Sequence, residues 1–292
     1  MDIDAERMKG NLIRHLPVIC ALFIVLIWSL YIFNKSAPVA EGTYLVYADL
    51  IISGEVPYLD FEFMYTPLYT YLLTGLVYVF GTKVIVMRAM GTFFYMCIVL
   101  GFYLIFRNIT NRYYASICAV VGFFVTMYDA FDLIGDYHCC YVSFALFQFY
   151  YGILSIKMIK EGFFKEKSRT ILYLSLAGLF GALCFLTKPQ AGLVYFLSIT
   201  ASIIAVCLIY SISLMESLYS LVTHLFWFVL PITVCFALVA IFSSFSDFIQ
   251  MVFLGGSKGG IPNMLTYHLF EILEKPASWL VAAITIVLYY FL

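Results

Sequence analysis

Apolar residues run along this chain in long stretches without alternation, separated by short polar turns. Runs near the roughly 20 residues that cross a hydrocarbon layer predict helical spans. They fall at about 16–33, 89–106, 113–128, 138–158, 171–187, 191–213, 221–242 and 277–292. The predicted fold class is an all-α integral membrane protein of about eight transmembrane helices, forming one polytopic domain over 1–292. Lipid demands that backbone groups be satisfied within a helix or a closed barrel, and the runs lack the two-residue period of barrel strands. The pattern breaks between the first two runs, where residues 40–68 mix carboxylates, aromatics, Gly and Pro. Leu68–Phe80 is apolar but short, bounded by Pro67 and Gly81, which predicts a juxtamembrane helix along the interface. Tyr69, Tyr71 and Tyr78 suit headgroup depth. Residues 243–260 predict a second interfacial piece, with Phe245, Phe248, Met251, Val252 and Phe253 on a loose apolar face. The Gly-rich run Gly255–Gly260 lacks phosphate-loop spacing and a preceding strand, and reads as a loop.

Composition excludes a soluble domain: 64% of residues are hydrophobic and 11% charged. A net charge of -1, without a basic patch, argues against nucleic acid as a partner. The positive charges orient the chain. With Leu68–Phe80 along the interface, ten of sixteen basic residues share one side: Arg7, Lys9, Arg14, Arg107, Arg112, Lys157, Lys160, Lys165, Lys167 and Arg169. That side is expected to be cytoplasmic, together with the N-terminus. The first run is too long for a signal peptide and reads as a retained helix. Most of the eight Cys sit inside apolar runs and read as small core residues; Cys139-Cys140 starts a helix. Asn34-Lys35-Ser36 fits a weak glycosylation sequon, and His224 reads as a satisfied helix residue.

Candidate chemistry gathers on the opposite, outer side. Residues 40–68 hold five of the seventeen carboxylates, Glu41, Asp49, Glu55, Asp60 and Glu62. Asp129, Asp132 and Asp136 follow in a second loop, and Thr187-Lys188-Pro189-Gln190 forms a third element, joined by Arg88. Carboxylates beside lipid are costly unless solvated, paired or used. Separated cations can hold an anionic head group while a carboxylate acts on a neighbouring atom. Simpler roles compete: Asp60 as a turn residue after Pro57-Tyr58, Asp136 as a helix N-cap, Arg88 and Lys188 as headgroup anchors.

The order of short motifs resembles the GT-C superfamily of membrane glycosyltransferases, in its protein O-mannosyltransferase and aminoarabinose-transferase-like branch. The residues are Glu41-Gly-Thr-Tyr44, Gly54-Glu-Val-Pro57-Tyr58-Leu-Asp60, Pro67-Leu68, Phe80-Gly81 with Arg88 downstream, Gly135-Asp136, and Gly178-Leu-Phe-Gly181 running to Thr187-Lys188-Pro189. Each motif is weak alone; their order covers about Arg14 to Gly192. Two positions depart from the family. Ala40 stands where the usual catalytic Asp is, so Glu41, Asp60 or Glu62 takes the role or the chain is inactive. Met64-Tyr65-Thr66 replaces the Glu-Lys that precedes Pro-Pro-Leu in aminoarabinose transferases.

The resemblance implies inverting transfer of a sugar from a polyprenyl phosphate to a protein, lipid or cell-envelope glycan at the outer face of a bacterial plasma membrane. Glu41 or Asp60 would be the base, Arg88 and Lys188 the phosphate ligands. Tyr44, Tyr58, Asp136 and His138 would line the substrate site, with Glu41 and Asp136 as candidate carboxylates for a divalent metal. Rival readings are a lipid or solute transporter or flippase, for which Gly178 and Gly181 would allow a broken helix, and a binding or assembly homologue without catalysis. Relatives usually continue for several more helices, so a longer natural chain is expected beyond Tyr289-Tyr290-Phe291-Leu292.

Overall fold

Residues 2–33, 39–127, 135–162 and 165–254 are described by the computed structural model. Among them lie ten α-helices: α1 (Asp2–Ile32), α2 (Val39–Ile52), α3 (Pro67–Phe80), α4 (Val84–Arg107), α5 (Arg112–Thr126), α6 (Tyr137–Gly162), α7 (Lys167–Phe185), α8 (Pro189–Ile209), α9 (Leu214–Phe242) and α10 (Phe245–Ile249). A π-helical turn, Gln250–Leu254, follows α10. Local chemistry sets several starts. Pro67 and Pro189 occupy first helical positions. The Asn111 side chain accepts from the N–H groups of Tyr113 and Tyr114 at the start of α5. Ser213 caps α9: its hydroxyl oxygen accepts from the Glu216 N–H at 3.3 Å and its hydroxyl donates to the Glu216 carboxylate at 3.0 Å.

Six described helices are long and apolar enough to cross a membrane: α1 from His15, α4, α6, α7, α8 and α9. Large apolar side chains on α1, α5, α8 and α9 face outward, as lipid contact requires. These helices mark a multi-pass membrane protein. The expected run 113–128 corresponds to α5, which at 15 residues is shorter than the rest. The expected span 277–292, the run Gly255–Gly260, Asp129, Asp132 and the Asn34 sequon lie outside the described residues.

Counting the short α5 with the six long helices, successive helices alternate in direction, and α6 packs on α4, α7 and α8. The end of α1 meets α4 near its start, where Arg88 donates to the Phe33 carbonyl. The α7–α8 turn meets the start of α6. Basic residues cluster at the other end, where α4, α6 and α8 finish and α5, α7 and α9 begin.

The region read as a loop from Ala40 begins as helix α2. Glu41, Tyr44, Leu45 and Ala48 are buried, the i, i+3, i+4, i+7 stripe of one helix face. Tyr44 meets Tyr69 near the starts of α2 and α3, and Thr82, just past α3, donates to Asp49 near the end of α2. The two helices therefore run side by side in the same direction. Tyr71, Tyr78, Val79 and Phe80 of α3 are exposed, as an interfacial helix would leave them, but Tyr69 is buried rather than at a headgroup position.

Helix α7 is unbroken through its glycines. A methyl on Gly178 would lie 2.4 Å from the His224 carbonyl oxygen of α9, so Gly178 serves close helix contact. Gly178→Ala is expected to lower stability by about 1–3 kcal/mol, because α7 and α9 must separate. Thermal unfolding in detergent would show it, with Gly75→Ala, whose added methyl meets open space, as the control. His224 meets its expected satisfied state in part: its ring stacks on Phe196 at 4.7 Å and its Nδ1 lies 3.5 Å from the Leu174 carbonyl oxygen, while Nε2 is buried with no hydrogen-bond partner among the described residues.

Candidate functional site

Glu41 lies in the first turn of α2, where a negative charge meets the positive end of the helix dipole. Its side chain is only 2% exposed, and it faces Arg88 of α4. Arg88 Nη2 is 2.8 Å from Oε2, and Nε donates to Oε1 at 3.1 Å, a two-pronged ion pair. Arg88 also donates through Nη1 to the Phe33 carbonyl. One guanidinium thus ties the end of α1 to α2 and α4.

Asp136 sits just before α6 and is buried. Oδ1 accepts from the N–H of the next residue, Tyr137, at 2.6 Å; an N-cap side chain serves the second or third helical N–H instead. Oδ2 lies 2.5 Å from Nδ1 of His138, which orients the imidazole. Gly135 is needed here. Its φ is +91°, and a Cβ would fall 2.8 Å from the Met87 carbonyl oxygen. The Gly135 carbonyl accepts from the Tyr69 hydroxyl, fastening α3 to this loop.

Tyrosines join the two pairs. The Tyr44 ring lies 5.2 Å from Tyr65, 5.1 Å from Tyr69 and 6.3 Å from Tyr137. Burial, then the Asp136 carboxylate, pushes the Tyr44 phenol far above its ordinary pKa, so it stays a neutral hydroxyl. Lys188, immediately before α8, places Nζ 5.1 Å from the Tyr141 ring centre and 5.9 Å from that of Tyr137. Rings hold the ammonium by cation–π attraction.

Six of the eight residues singled out in the sequence therefore gather at one end of the bundle: Glu41, Tyr44, Arg88, Asp136, His138 and Lys188. Tyr58 and Asp60 belong to the neighbouring turn. Asp60 is exposed, and its Oδ2 accepts from the Val56 N–H at 2.7 Å. Turn chemistry thus occupies this carboxylate. Tyr58 takes a left-handed backbone, φ +67°, with its ring packed on Phe63 and Phe248 and its hydroxyl donated to the Tyr65 carbonyl at 2.6 Å. Phe248 belongs to α10, so the second expected apolar piece docks on this turn; Ser243 also donates to the Pro57 carbonyl. Glu62 is exposed. Among the described residues no three His, Cys, Asp or Glu side chains gather as metal ligands. Glu41 and Asp136, the candidate metal carboxylates, are engaged by Arg88 and by His138 with the Tyr137 N–H.

Sequence reasoning missed Tyr65, Tyr69, Tyr137 and Tyr141, the rings between the charged groups. Tyrosine is so frequent here, 24 residues, that composition could not single them out. Their flanking of Pro67 and of Asp136-His138 was the one available signal. Comparison of the chain with models of protein families, with curated proteins and with solved structures finds no match.

Proposed function

We propose that this chain is a GT-C-type glycosyltransferase that moves a sugar from a polyprenyl phosphate to an acceptor hydroxyl at the outer face of the membrane. One observation carries the reading: a buried carboxylate–guanidinium pair, an Asp–His pair and a lysine lie together at the bundle end opposite the basic one. The basic residues at that other end support a cytoplasmic placement for it, which leaves the site outside. An apolar groove of about 890 Å³ between α3 and α4, lined by Tyr71, Leu72, Leu76, Ile85 and Met90, suits the tail of a lipid-linked donor.

In this proposal the donor phosphate takes the Arg88 guanidinium and the Lys188 ammonium, and Glu41 is released from its partner. Glu41 then accepts the acceptor's hydroxyl proton. The new bond forms between that oxygen and the anomeric carbon, the bond from carbon to phosphate oxygen breaks, and polyprenyl phosphate leaves. Arg88 and Lys188 stabilise the charge that collects on its oxygens. Tyr44 and His138 hold sugar hydroxyls. A second assignment draws on the 2.5 Å Asp136–His138 contact, in which the oriented imidazole is the base and Glu41 only holds Arg88.

The test is release of polyprenyl phosphate from labelled polyprenyl-phosphate sugars by purified protein in lipid. Turnover with at least one donor is expected; absence of turnover across hexose and pentose donors sinks the proposal. Lys188→Gln is expected to lower kcat/KM for the donor by roughly 10–100-fold, the loss of one hydrogen bond to a charged group. An unchanged kcat/KM would remove Lys188 from the phosphate site.

A further inference from the structure

We propose that a groove between α6 and α8, at the basic end of the bundle, binds an anionic phospholipid of the bilayer. The groove encloses about 600 Å³ and is lined from Phe149 to Lys160 on α6 and from Ser198 to Tyr210 on α8. Its hollow comes from small residues at helical spacing, Ser198, Ala201, Ser202 and Ala205. The hydroxyls of Ser198 and Ser202 donate to carbonyls of their own helix, those of Val194 and Ser198, at 2.8 Å. The floor is therefore apolar despite the two serines.

Length and charge identify the occupant. From Phe149 to Lys160 the helix rises about 16 Å, at roughly 1.5 Å per residue. Half of a bilayer's hydrocarbon core is about 15 Å. One acyl chain of a single leaflet thus fits from the bundle's middle to its basic end. At that end stand Lys157 and Lys160, three residues apart on one face of α6. Both are already oriented: Lys157 Nζ donates to Asn108 Oδ1 at 3.2 Å, and Lys160 Nζ lies 4.9 Å from the Tyr210 ring centre. Among the described side chains this end carries Arg107, Arg112, Lys157, Lys160, Lys165, Lys167 and Arg169 against Glu161, Glu166 and Glu216. A phosphodiester headgroup would sit between the two lysines, as basic pockets between membrane helices accept anionic lipids. The apolar run 277–292, another conceivable occupant, has no carboxylate to meet two ammonium groups. This inference is independent of the proposed reaction, since it concerns the opposite end of the bundle.

Native mass spectrometry of the purified protein in detergent, titrated with phosphatidylglycerol and with phosphatidylcholine of the same chains, tests it. The wild type is expected to retain phosphatidylglycerol preferentially. Lys157→Gln/Lys160→Gln is expected to reduce that preference by roughly 30-fold, from the attraction each basic side chain gives an anionic headgroup. Ala205→Phe fills the groove but keeps both lysines, and is expected to lower retention of both lipids. Equal retention of the two lipids by wild type, or a preference that survives the double substitution, overturns the proposal. So does Ala205→Phe altering self-association without altering lipid retention.

Discussion

Glu41→Gln is expected to lower release of polyprenyl phosphate by about 10²–10⁴-fold, the contribution of a positioned general base. Gln keeps the shape of Glu41, and its side-chain carbonyl still accepts from Arg88, so the two ends of α2 and α4 stay together. What disappears is the capacity to take a proton. Turnover is best expressed per folded molecule, because neutralising Glu41 also removes the charge that balances a mostly buried guanidinium. Asp60→Asn is expected to leave turnover nearly unchanged, since that carboxylate caps the Val56 N–H in an exposed turn. The informative comparison is with His138→Gln. If His138→Gln removes turnover and Glu41→Gln does not, the base is the imidazole held by Asp136, and Glu41 becomes a holder of Arg88.

Arg88→Ala is expected to cost about 3–5 kcal/mol of stability, the effect of leaving a buried charge without its partner. Glu41 is 2% exposed and has little water to turn to. The Phe33 carbonyl at the end of α1 loses a donor as well. Replacing both partners, as Glu41→Met/Arg88→Met, is expected to restore most of the lost stability, because an apolar pair of similar volume carries no desolvation cost. Thermal unfolding in detergent of Glu41→Met, Arg88→Met and the double variant gives the coupling. Equal stability of Arg88→Ala and wild type would mean that water reaches Glu41. A stable double variant without turnover would show that the pair is kept for chemistry rather than for folding.

The helical, membrane-embedded character was legible because uninterrupted apolar runs can be little else. The six long helices fall where those runs lie, with ends that extend past the apolar residues through charged turns such as Lys167–Arg169. Helix α2 was hidden because its buried stripe includes Glu41, and a carboxylate on the inner face is indistinguishable from a loop residue until Arg88 is seen opposite it. Arg88 and Glu41 are 47 positions apart, and nothing local in either sequence window announces the other. Asp136 and His138 were legible together because their contact is local. The turn at Pro57-Tyr58 was also local, and there the simpler role for Asp60 is the one the structure displays. The π-helical turn after α10 has no sequence signature; its apolar face was visible, its winding was not.

Phe33 and Arg88 meet at the same end of the bundle, so the chain between them makes no net passage from one end to the other. Turns such as 108–111 and 186–188 reverse the chain within a few residues. The reversal from α1 to α4 instead carries the whole excursion through α2 and α3. Lengthening or shortening it would reorient no later helix, so the part of the molecule that carries Glu41 can diverge in size while the remaining helices keep their polarity.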